Sequence, residues 1–153
     1  MDNKQPAFLK PTRFEQSLNG LLGFFVGLGL GPSYSYLLQV TGRKTGRLYS
    51  TPVNLLEYQG KQFLVAPRGE TQWVRNARSN GTLWLKRGGS RRQYGIRSVD
   101  GALKLELLRE YLDRYKAAVQ RYFPIPAGSA AAAFSGIAVN YPVFELTLDT
   151  ASR

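Results

Sequence analysis

The 153-residue chain contains neither cysteine nor histidine. Without them it cannot form disulfides, thiol nucleophiles, Ser-His-Asp or Cys-His catalytic groups, or zinc sites built from Cys and His. It also lacks the side chain that most readily moves protons near neutral pH. If the chain is an enzyme, we expect a bound organic cofactor to supply the reactive chemistry, and no metal site is predicted. A small binding protein with no need of histidine is the alternative.

Acidic residues are scarce in the middle of the chain. Between Val40 and Val99 the sequence has twelve lysines and arginines but only two acidic residues, Glu57 and Glu70, and this stretch carries almost all of the net charge of +11. A positive field concentrated in this way favours an anionic partner. Nucleic acid, a phosphorylated cofactor and an anionic membrane surface are the classes of partner that fit.

Charge is absent altogether between Gln16 and Gly42. The apolar stretch within this segment is too short to span a membrane and is interrupted by glycines. Asp2 and Glu15 precede it, which disfavours a signal peptide because such a peptide begins with a basic region. We therefore predict an N-terminal helix within residues 1–31 that packs on the core, with peripheral membrane contact as the alternative.

The remaining pattern is that of short strands with two helices. Asn80-Gly81 ends a short helix predicted over residues 71–79, and a longer helix over 103–122 repeats apolar residues at three- and four-residue spacing. Strand formers and turn residues predict six strands, over 34–41, 50–58, 61–67, 82–88, 91–99 and 142–148.

Most of these strands are joined by turns too short for a parallel crossover. The fold class predicted is mainly β with helices (α+β): a small six-stranded antiparallel barrel flanked by an N-terminal helix, a short helix and one long helix. We expect a single domain over residues 1–153, with the barrel over 34–148.

A basic loop separates the first two predicted strands, in the stretch VTGRKTGRLYSTPV from Val40 to Val53. Gly42 and Gly46 allow close approach of the backbone or positive φ. Arg43 provides a planar fork and Lys44 a mobile point charge for phosphate or carboxylate groups. This combination is typical of a cradle for an oligoanion, although a solvated turn has the same composition.

Three separated pieces of sequence, TGRKTGRLYSTPV, APRG and WVRNAR, with YPVFEL near the end, resemble the deazaflavin-dependent nitroreductase family. The resemblance implies a split β-barrel and the cofactor F420, a deazaflavin with a phosphate and a tail of glutamate carboxylates. It implies an F420-dependent oxidoreductase that transfers a hydride to a quinone, a nitroaromatic or a conjugated enone. Barrels of this family are often dimers, which makes a homodimer one expected assembly, and we expect a cytoplasmic protein that can also associate with a membrane surface.

The resemblance also implies roles for individual residues. The loop cations would pair with the phosphate and tail, the second strand would lie against the deazaflavin ring, and the APRG segment and the short helix would complete the cofactor site. The candidate cofactor-binding residues are Arg43, Lys44, Thr45, Arg47, Thr51, Pro52, Val53, Ala66, Pro67, Arg68, Gly69, Trp73, Arg75 and Asn76.

The acceptor side is less well defined. Nitro-reducing relatives often carry several tyrosines between the long helix and the last strand, whereas this chain has PIPAGSAAAAFSG there. Tyr111, Tyr115 and Tyr122 are candidate proton donors, with ordinary helix positions as the alternative reading. Two rival functions stay open: an FMN- or other flavin-binding split barrel, and a non-catalytic nucleic-acid-binding barrel that stacks bases on Tyr49, Trp84 and Tyr94.

Overall fold

The computed structural model describes residues 31–149, so the helix predicted before Gly31 lies outside the described residues. Seven antiparallel strands form one sheet in the order β2-β1-β5-β6-β7-β4-β3. The strands are β1 (Ser35–Thr41), β2 (Leu48–Asn54), β3 (Leu56–Tyr58), β4 (Lys61–Val65), β5 (Thr82–Arg87), β6 (Ser90–Ser98) and β7 (Val143–Leu148). The helices are α1 (Gln72–Asn80) and α2 (Gly101–Val119), and three 3₁₀ turns cover Gln120–Tyr122, Ala131–Phe134 and Ala138–Asn140.

The mainly β class with a short and a long helix is confirmed, but the sheet has seven strands where the sequence predicted six. The difference lies at Leu55, which divides the single strand predicted over 50–58 into β2 and β3. The backbone N–H of Leu55 donates to the carbonyl of Tyr34 at 2.8 Å, and its side chain is buried. The chain therefore bends at this residue, which a continuous run of strand formers does not reveal.

This bend closes the sheet. Strands β2 and β3 are neighbours in the chain, yet they occupy the two opposite edges of the sheet, β2 beside β1 and β3 beside β4. Because only Leu55 joins them, the two edges must approach each other and the sheet must curl into a barrel. The hairpin turns that produce this order match the prediction, with positive φ at Gln59 and Gly60 between β3 and β4.

Helix α2 covers the outer face of one half of the sheet. Its apolar stripe, which includes Leu108, Leu112 and Val119, packs against Leu56 and Phe63 of β3 and β4 in one buried cluster. The three- and four-residue spacing of this stripe is the pattern that predicted the helix. No helix within residues 31–149 has the length and apolarity needed to cross a membrane.

Helix α1 packs on the inner side of the barrel. Ala77 of this helix joins Leu38 and Val40 of β1 and Leu83 and Leu85 of β5 in a second buried cluster. The alternation of buried positions along β1 and β5 follows the period of two expected for a strand with one buried face. This cluster fixes α1 beside the end of β1 at which the basic loop begins.

Candidate functional site

The basic loop, residues 42–47, connects β1 to β2 in a closed conformation. The N–H of Gly42 donates to the carbonyl of Arg47 at 2.7 Å, and the N–H of Gly46 donates to the carbonyl of Gly42 at 3.0 Å. Gly46 has φ of 71°, which favours glycine. A Cβ on Gly42 would lie 2.6 Å from Cε2 of Tyr49, so this glycine makes room for a neighbouring ring.

The Thr45 hydroxyl is used within the loop. Its oxygen accepts a hydrogen bond from the backbone N–H of Arg47 at 3.2 Å and lies 3.2 Å from the hydroxyl of Tyr49. Thr45 and Tyr49 thus help to hold the loop in shape.

Three amide side chains on one face of α1 hold the loop against the helix. The Oδ1 atom of Asn76 accepts hydrogen bonds from the backbone N–H of Arg43 at 3.0 Å and from its guanidinium at 2.7 Å. The guanidinium of Arg43 also donates to Oε1 of Gln72 at 3.0 Å, and Nδ2 of Asn80 donates to the carbonyl of Thr41 at 2.7 Å. Residues four apart share a helix face, so we call Gln72, Asn76 and Asn80 the amide face of α1.

Gln72 and Asn80 were not among the residues predicted from the sequence. The signal that identifies them is the four-residue spacing of amides in QWVRNARSN. Asn76 is only 4% exposed, and its oxygen is directed at Arg43. Its Nδ2 group has no hydrogen-bond acceptor among the described residues and is the part of the side chain left for a ligand.

No carboxylate in the described part of the chain neutralises the positive charge in this region. Within residues 31–149, no carboxylate lies within 4 Å of the charged nitrogens of Arg43, Lys44, Arg47 or Arg75. By contrast, Arg78 on the same helix as Arg75 pairs with Glu70. Among residues 31–149, the loop and the start of α1 therefore present a positive field that no carboxylate compensates, which suits an anionic ligand.

Strand β2 leads away from the loop along an open edge of the sheet. Thr51 and Val53 lie opposite Leu38 and Tyr36 of β1 and share the inner face with them. Pro52 lies on the other face of β2, because side chains alternate along a strand. Three residues were predicted to contact the deazaflavin ring. Thr51 and Val53 have their side chains on the same face of β2, and Pro52 does not.

The segment 66–69 leads from β4 into α1. Ala66 is buried, and its N–H donates to the carbonyl of Pro142 at 2.8 Å. Gly69 has φ of 84°, and its N–H donates to the carbonyl of Ala66 at 3.2 Å. Pro67 and Arg68 are half-buried within this tight turn, which places them directly before the start of α1.

The start of α1 has the features of an anion site. Its first turn contains no acidic residue and receives no side-chain cap, so backbone N–H groups remain available there. The Oγ1 atom of Thr71 is enclosed and has no hydrogen-bond partner among the described residues. Thr71 was not predicted from the sequence, but an enclosed hydroxyl without a partner suits a ligand that supplies one.

Trp73 lies on the buried side of the same turn. Its ring meets Phe144 edge-on with centroids 5.9 Å apart, and it packs, as does Val53, against the cluster formed by Leu38 and Val40. Trp73 and Val53 therefore approach the inner face of the barrel from α1 and from β2. Arg75, two residues further along α1, is exposed.

The three candidate proton donors on α2 and after it have different surroundings. Tyr111 is 3% exposed, and burial raises its pKa. Tyr115 donates from its hydroxyl to the carbonyl of Leu55 at 2.6 Å and lines a cavity. The hydroxyl of Tyr122 accepts from the Arg121 guanidinium at 2.5 Å.

The aromatic residues of the nucleic-acid alternative do not form one stacking surface. Tyr94 is 7% exposed in the inner cluster, and the ring of Tyr49 covers Gly42. The guanidinium of Arg91 lies 3.9 Å from the ring centroid of Trp84 and so covers one face of that ring. Base stacking on all three rings together is therefore not available in this structure.

The donor set fits a molecule with a phosphate and several carboxylates. Two guanidinium groups, a lysine ammonium, the enclosed Thr71 hydroxyl and the first turn of α1 lie around one loop and one helix start. Such groups form charge-assisted hydrogen bonds with phosphate and carboxylate oxygens.

Comparison with known proteins identifies a matching family. The profile of the family described as F420H(2)-dependent quinone reductase matches residues 12–125. No curated protein matches the chain.

Several solved structures share the fold at low sequence identity. The structure of an F420-H2 dependent reductase, FDR-A, is 20% identical, with 75% of this chain and 95% of that chain covered and a TM-score of 0.52. A structure described as a domain-swapped dimer is 20% identical, with coverage of 88% and 94% and a TM-score of 0.54. HutZ, described as a heme storage protein from Vibrio cholerae, is 10% identical, with coverage of 91% and 92% and a TM-score of 0.53. At these identities the likeness extends to the fold alone.

Proposed function

The chain belongs to the F420H(2)-dependent quinone reductase family, and from this premise we propose that it reduces a quinone with F420 bound along the basic loop and β2. Membership makes the chain an F420-dependent oxidoreductase with F420 as its cofactor. When bound, the reduced deazaflavin supplies a hydride to an electrophilic acceptor. The protein's part is to bind, to orient and to exclude water.

The observation that carries this proposal is the uncompensated charge of the basic loop. Arg43, Lys44 and Arg47 have no carboxylate partner among the described residues, and the guanidinium of Arg43 is oriented by Gln72 and Asn76. Holding a cation in place before the ligand arrives lowers the ordering cost of binding. We assign these cations to the phosphate and glutamate tail of F420.

The energies are sufficient for a stable complex. A hydrogen bond to a charged group contributes about 1.5–3 kcal/mol net. Micromolar affinity corresponds to about 8.2 kcal/mol. Three or four such contacts from the loop and the start of α1, together with ring burial on β2, reach this range after the ordering cost of association.

The remaining assignments follow the layout of the site. Thr51 and Val53 would line the ring through their side chains and Pro52 through its backbone. The segment 66–69 and Thr71 would face the phosphate and ribityl part of F420, and Trp73 would line one side of the cofactor pocket. Arg75 would contribute to the acidic end of the cofactor, and Asn76 would offer only its Nδ2 group.

Among the acceptors, we favour quinones over nitroaromatics and enones. Beyond the 3₁₀ turn Gln120–Tyr122, the segment that leads to β7 has three aromatics, Phe123, Phe134 and Tyr141, which are 6%, 1% and 4% exposed. Tyr141 donates from its hydroxyl to the carbonyl of Tyr122 at 2.5 Å. All three are therefore committed to the core, and beyond Tyr122 this segment offers no open tyrosines of the kind that nitro-reducing relatives carry.

For the proton that completes the reduction, we favour Tyr115 over Tyr111 and Tyr122. Tyr115 lines a cavity, and its hydroxyl is held in place by the hydrogen bond that it donates to the carbonyl of Leu55. Water is the alternative donor. Peripheral membrane contact through residues 1–31, a homodimer and a cytoplasmic location stay predictions.

The experiment that tests the cofactor site compares two ligands. Changing Arg43 and Lys44 together to Ala should weaken F420 binding about tenfold or more, which is about 1.4 kcal/mol per decade. Deazariboflavin, the ring and ribityl chain without phosphate and tail, should bind both proteins equally. Fluorescence titration at low salt measures both affinities.

Changing Lys86 and Arg92 together to Ala is the matched control. It removes the same two residue types from β5 and β6, away from the loop, and should leave F420 affinity nearly unchanged. Equal F420 affinity in all three proteins would mean that the loop is only a solvated turn. Preference for FMN would move the function to a flavin oxidoreductase, and binding of a short single-stranded oligonucleotide alone would favour the nucleic-acid alternative.

A further inference from the structure

A cavity of about 520 Å³ opens at the end of the β1–β2 hairpin opposite the basic loop. The loop follows the pair Thr41–Leu48, whereas the cavity lies beyond the other end of the ladder, at the pair Ser35–Asn54. The cavity is lined by Ser33, Tyr34, Tyr36, Leu55, Glu57, Arg114 and Tyr115. None of these residues belongs to the cofactor site described above.

The cavity continues the inner face of β2. Tyr36 lies directly opposite Val53, and Leu55 follows Val53 by two residues. From Leu48 to Val53 the strand extends about 17 Å, at roughly 3.3 Å per residue. A ligand that starts at the loop and runs along the inner face of β2 therefore ends beside the cavity.

Aromatic rings form its walls. Tyr34 is 41% exposed, and its ring centroid lies 4.6 Å from that of Tyr115. Tyr115 is fixed by its hydrogen bond to the carbonyl of Leu55, and its φ of −114° and ψ of 24° interrupt the helical conformation of α2. The helix thus bends at the residue that lines the cavity.

The charges of the cavity differ from those of the loop. Arg114 donates to the backbone carbonyl of Glu57 at 2.6 Å, and its Nε atom lies 3.3 Å from a carboxylate oxygen of Glu110. Its positive charge is therefore compensated, while the carboxylate of Glu57 has no ion-pair partner among the described residues. The cavity therefore disfavours an anionic ligand, and Arg114 retains N–H groups for a carbonyl oxygen.

We propose that this cavity binds the electron acceptor as a neutral, planar, conjugated carbonyl compound, stacked against Tyr34 and presented to the inner face of β2 at Val53. The inference rests on the proposed function and names the acceptor's place in it. The quinone gains a hydride and a proton and becomes the hydroquinone, while F420H2 is oxidised to F420, so electrons and hydrogens balance. Stacking on tyrosine favours such electron-poor rings.

The first test measures binding of menadione, a neutral quinone, by titration of the protein with and without F420. Tyr34→Ala should raise the menadione Kd roughly fivefold, the range expected for loss of an aromatic contact. F420 affinity should not change. Leu103→Ala is the matched control, because Leu103 is also 41% exposed and lies about 18 Å along α2 from Tyr115.

The outcomes separate this inference from the proposed function. If the protein binds F420 but Tyr34→Ala and Leu103→Ala bind menadione as the wild type does, the cavity is not the acceptor site. Absence of menadione binding by the F420-loaded wild type would overturn it as well. Absence of F420 binding would instead refute the proposed function.

A second test addresses the charge of the acceptor. The wild type should bind menadione about fivefold more tightly than 1,4-naphthoquinone-2-sulfonate, an anionic quinone, since a like charge nearby costs on the order of 1 kcal/mol. Glu57→Gln should tighten binding of the sulfonate and leave menadione unchanged, whereas Glu106→Gln should alter neither. A sulfonate affinity that does not respond to Glu57→Gln would contradict a cavity selective for neutral rings.

Discussion

At the scale of single residues, the contacts of Asn76 differ from those expected from the sequence. The sequence placed it in the cofactor site through a family resemblance, and its contact with F420 remains a proposal. In the structure its oxygen binds another residue of the protein, because Oδ1 accepts two hydrogen bonds from Arg43. Asn76 is 4% exposed, and its Oδ1 atom is the main anchor of the basic loop on α1. We therefore regard Asn76 as a positioning residue for Arg43.

Replacing Asn76 with Leu should lower both stability and F420 affinity. The change leaves the backbone N–H of Arg43 without its acceptor, which costs about 1–3 kcal/mol when the group is buried. It also frees the guanidinium, so F420 should bind more weakly. Urea unfolding and fluorescence titration measure the two effects.

Asn76→Asp separates positioning from direct contact. The carboxylate can still accept both hydrogen bonds from Arg43, so stability should recover toward that of the wild type. Asn80→Ala, which removes only the bond to the Thr41 carbonyl, should have a smaller effect. If Asn76→Leu bound F420 as the wild type does, Arg43 would not need the amide face of α1.

At the scale of elements, two basic side chains meet the carboxylate of Glu145 where β7 pairs with its neighbouring strands. Arg97 and Glu145 face each other across the two strands, and Lys61 of β4 lies 3.5 Å from the same carboxylate. The hydrogen bond from the Arg97 guanidinium, reinforced by the charges of Arg97 and Lys61, holds the pKa of Glu145 below its ordinary value. Three strands are thus linked through one side chain.

Glu145→Gln should reduce the dependence of stability on pH in acid. A carboxyl group whose pKa is lowered by folding stabilises the protein above its unfolded pKa, about 4.3 for glutamate. This contribution is lost as the pH falls through the lower folded pKa. The wild type should therefore be more stable than the variant at pH 7, and the difference should shrink below about pH 4.

Thermal unfolding of both proteins across this pH range measures the effect. Glu106→Gln, on the exposed side of α2, serves as the control. A difference between wild type and Glu145→Gln that stayed constant with pH would show that the carboxylate's charge contributes nothing to pairing of β6 with β7.

Over the whole molecule, two neighbouring regions differ in electrostatic character. The basic loop and the start of α1 carry cations without carboxylate partners in the described part of the chain, whereas α2 carries a network in which Arg109 meets Glu106, Glu110 and Asp113. The proposed acceptor cavity lies beside α2 and holds Arg114 already paired with Glu110. One end of the barrel thus suits an anion and the other a neutral ring.

This arrangement predicts a difference in salt dependence between ligands. F420 affinity should fall several-fold between roughly 0.05 and 0.5 M NaCl, because the screening length shortens to a few ångströms. The affinities for deazariboflavin and menadione should change little over the same range. An equal response of all three ligands would contradict the assignment of the phosphate and tail to the loop.

The sequence predicted much of the fold because its signals are local. Alternation along residues 34–41 and the apolar stripe of residues 103–122 specify a strand and a helix, and Gln59-Gly60 specifies a tight hairpin. The division of the second strand at Leu55 was missed. That bend depends on Tyr34 and Tyr115, which lie far from Leu55 in the chain.

Composition and motif by themselves indicated the class of partner and the family: twelve cations against two acidic residues favour an anionic partner, and without histidine and cysteine an enzyme is expected to use a bound cofactor. Only the tertiary structure decided how the site is held and where it ends. It places Arg43 on Gln72 and Asn76 and joins Tyr34, Glu57 and Tyr115 around one cavity. The reason is that these contacts join residues roughly 20 to 80 positions apart, and no short-range pattern encodes the closure of the sheet that brings them together.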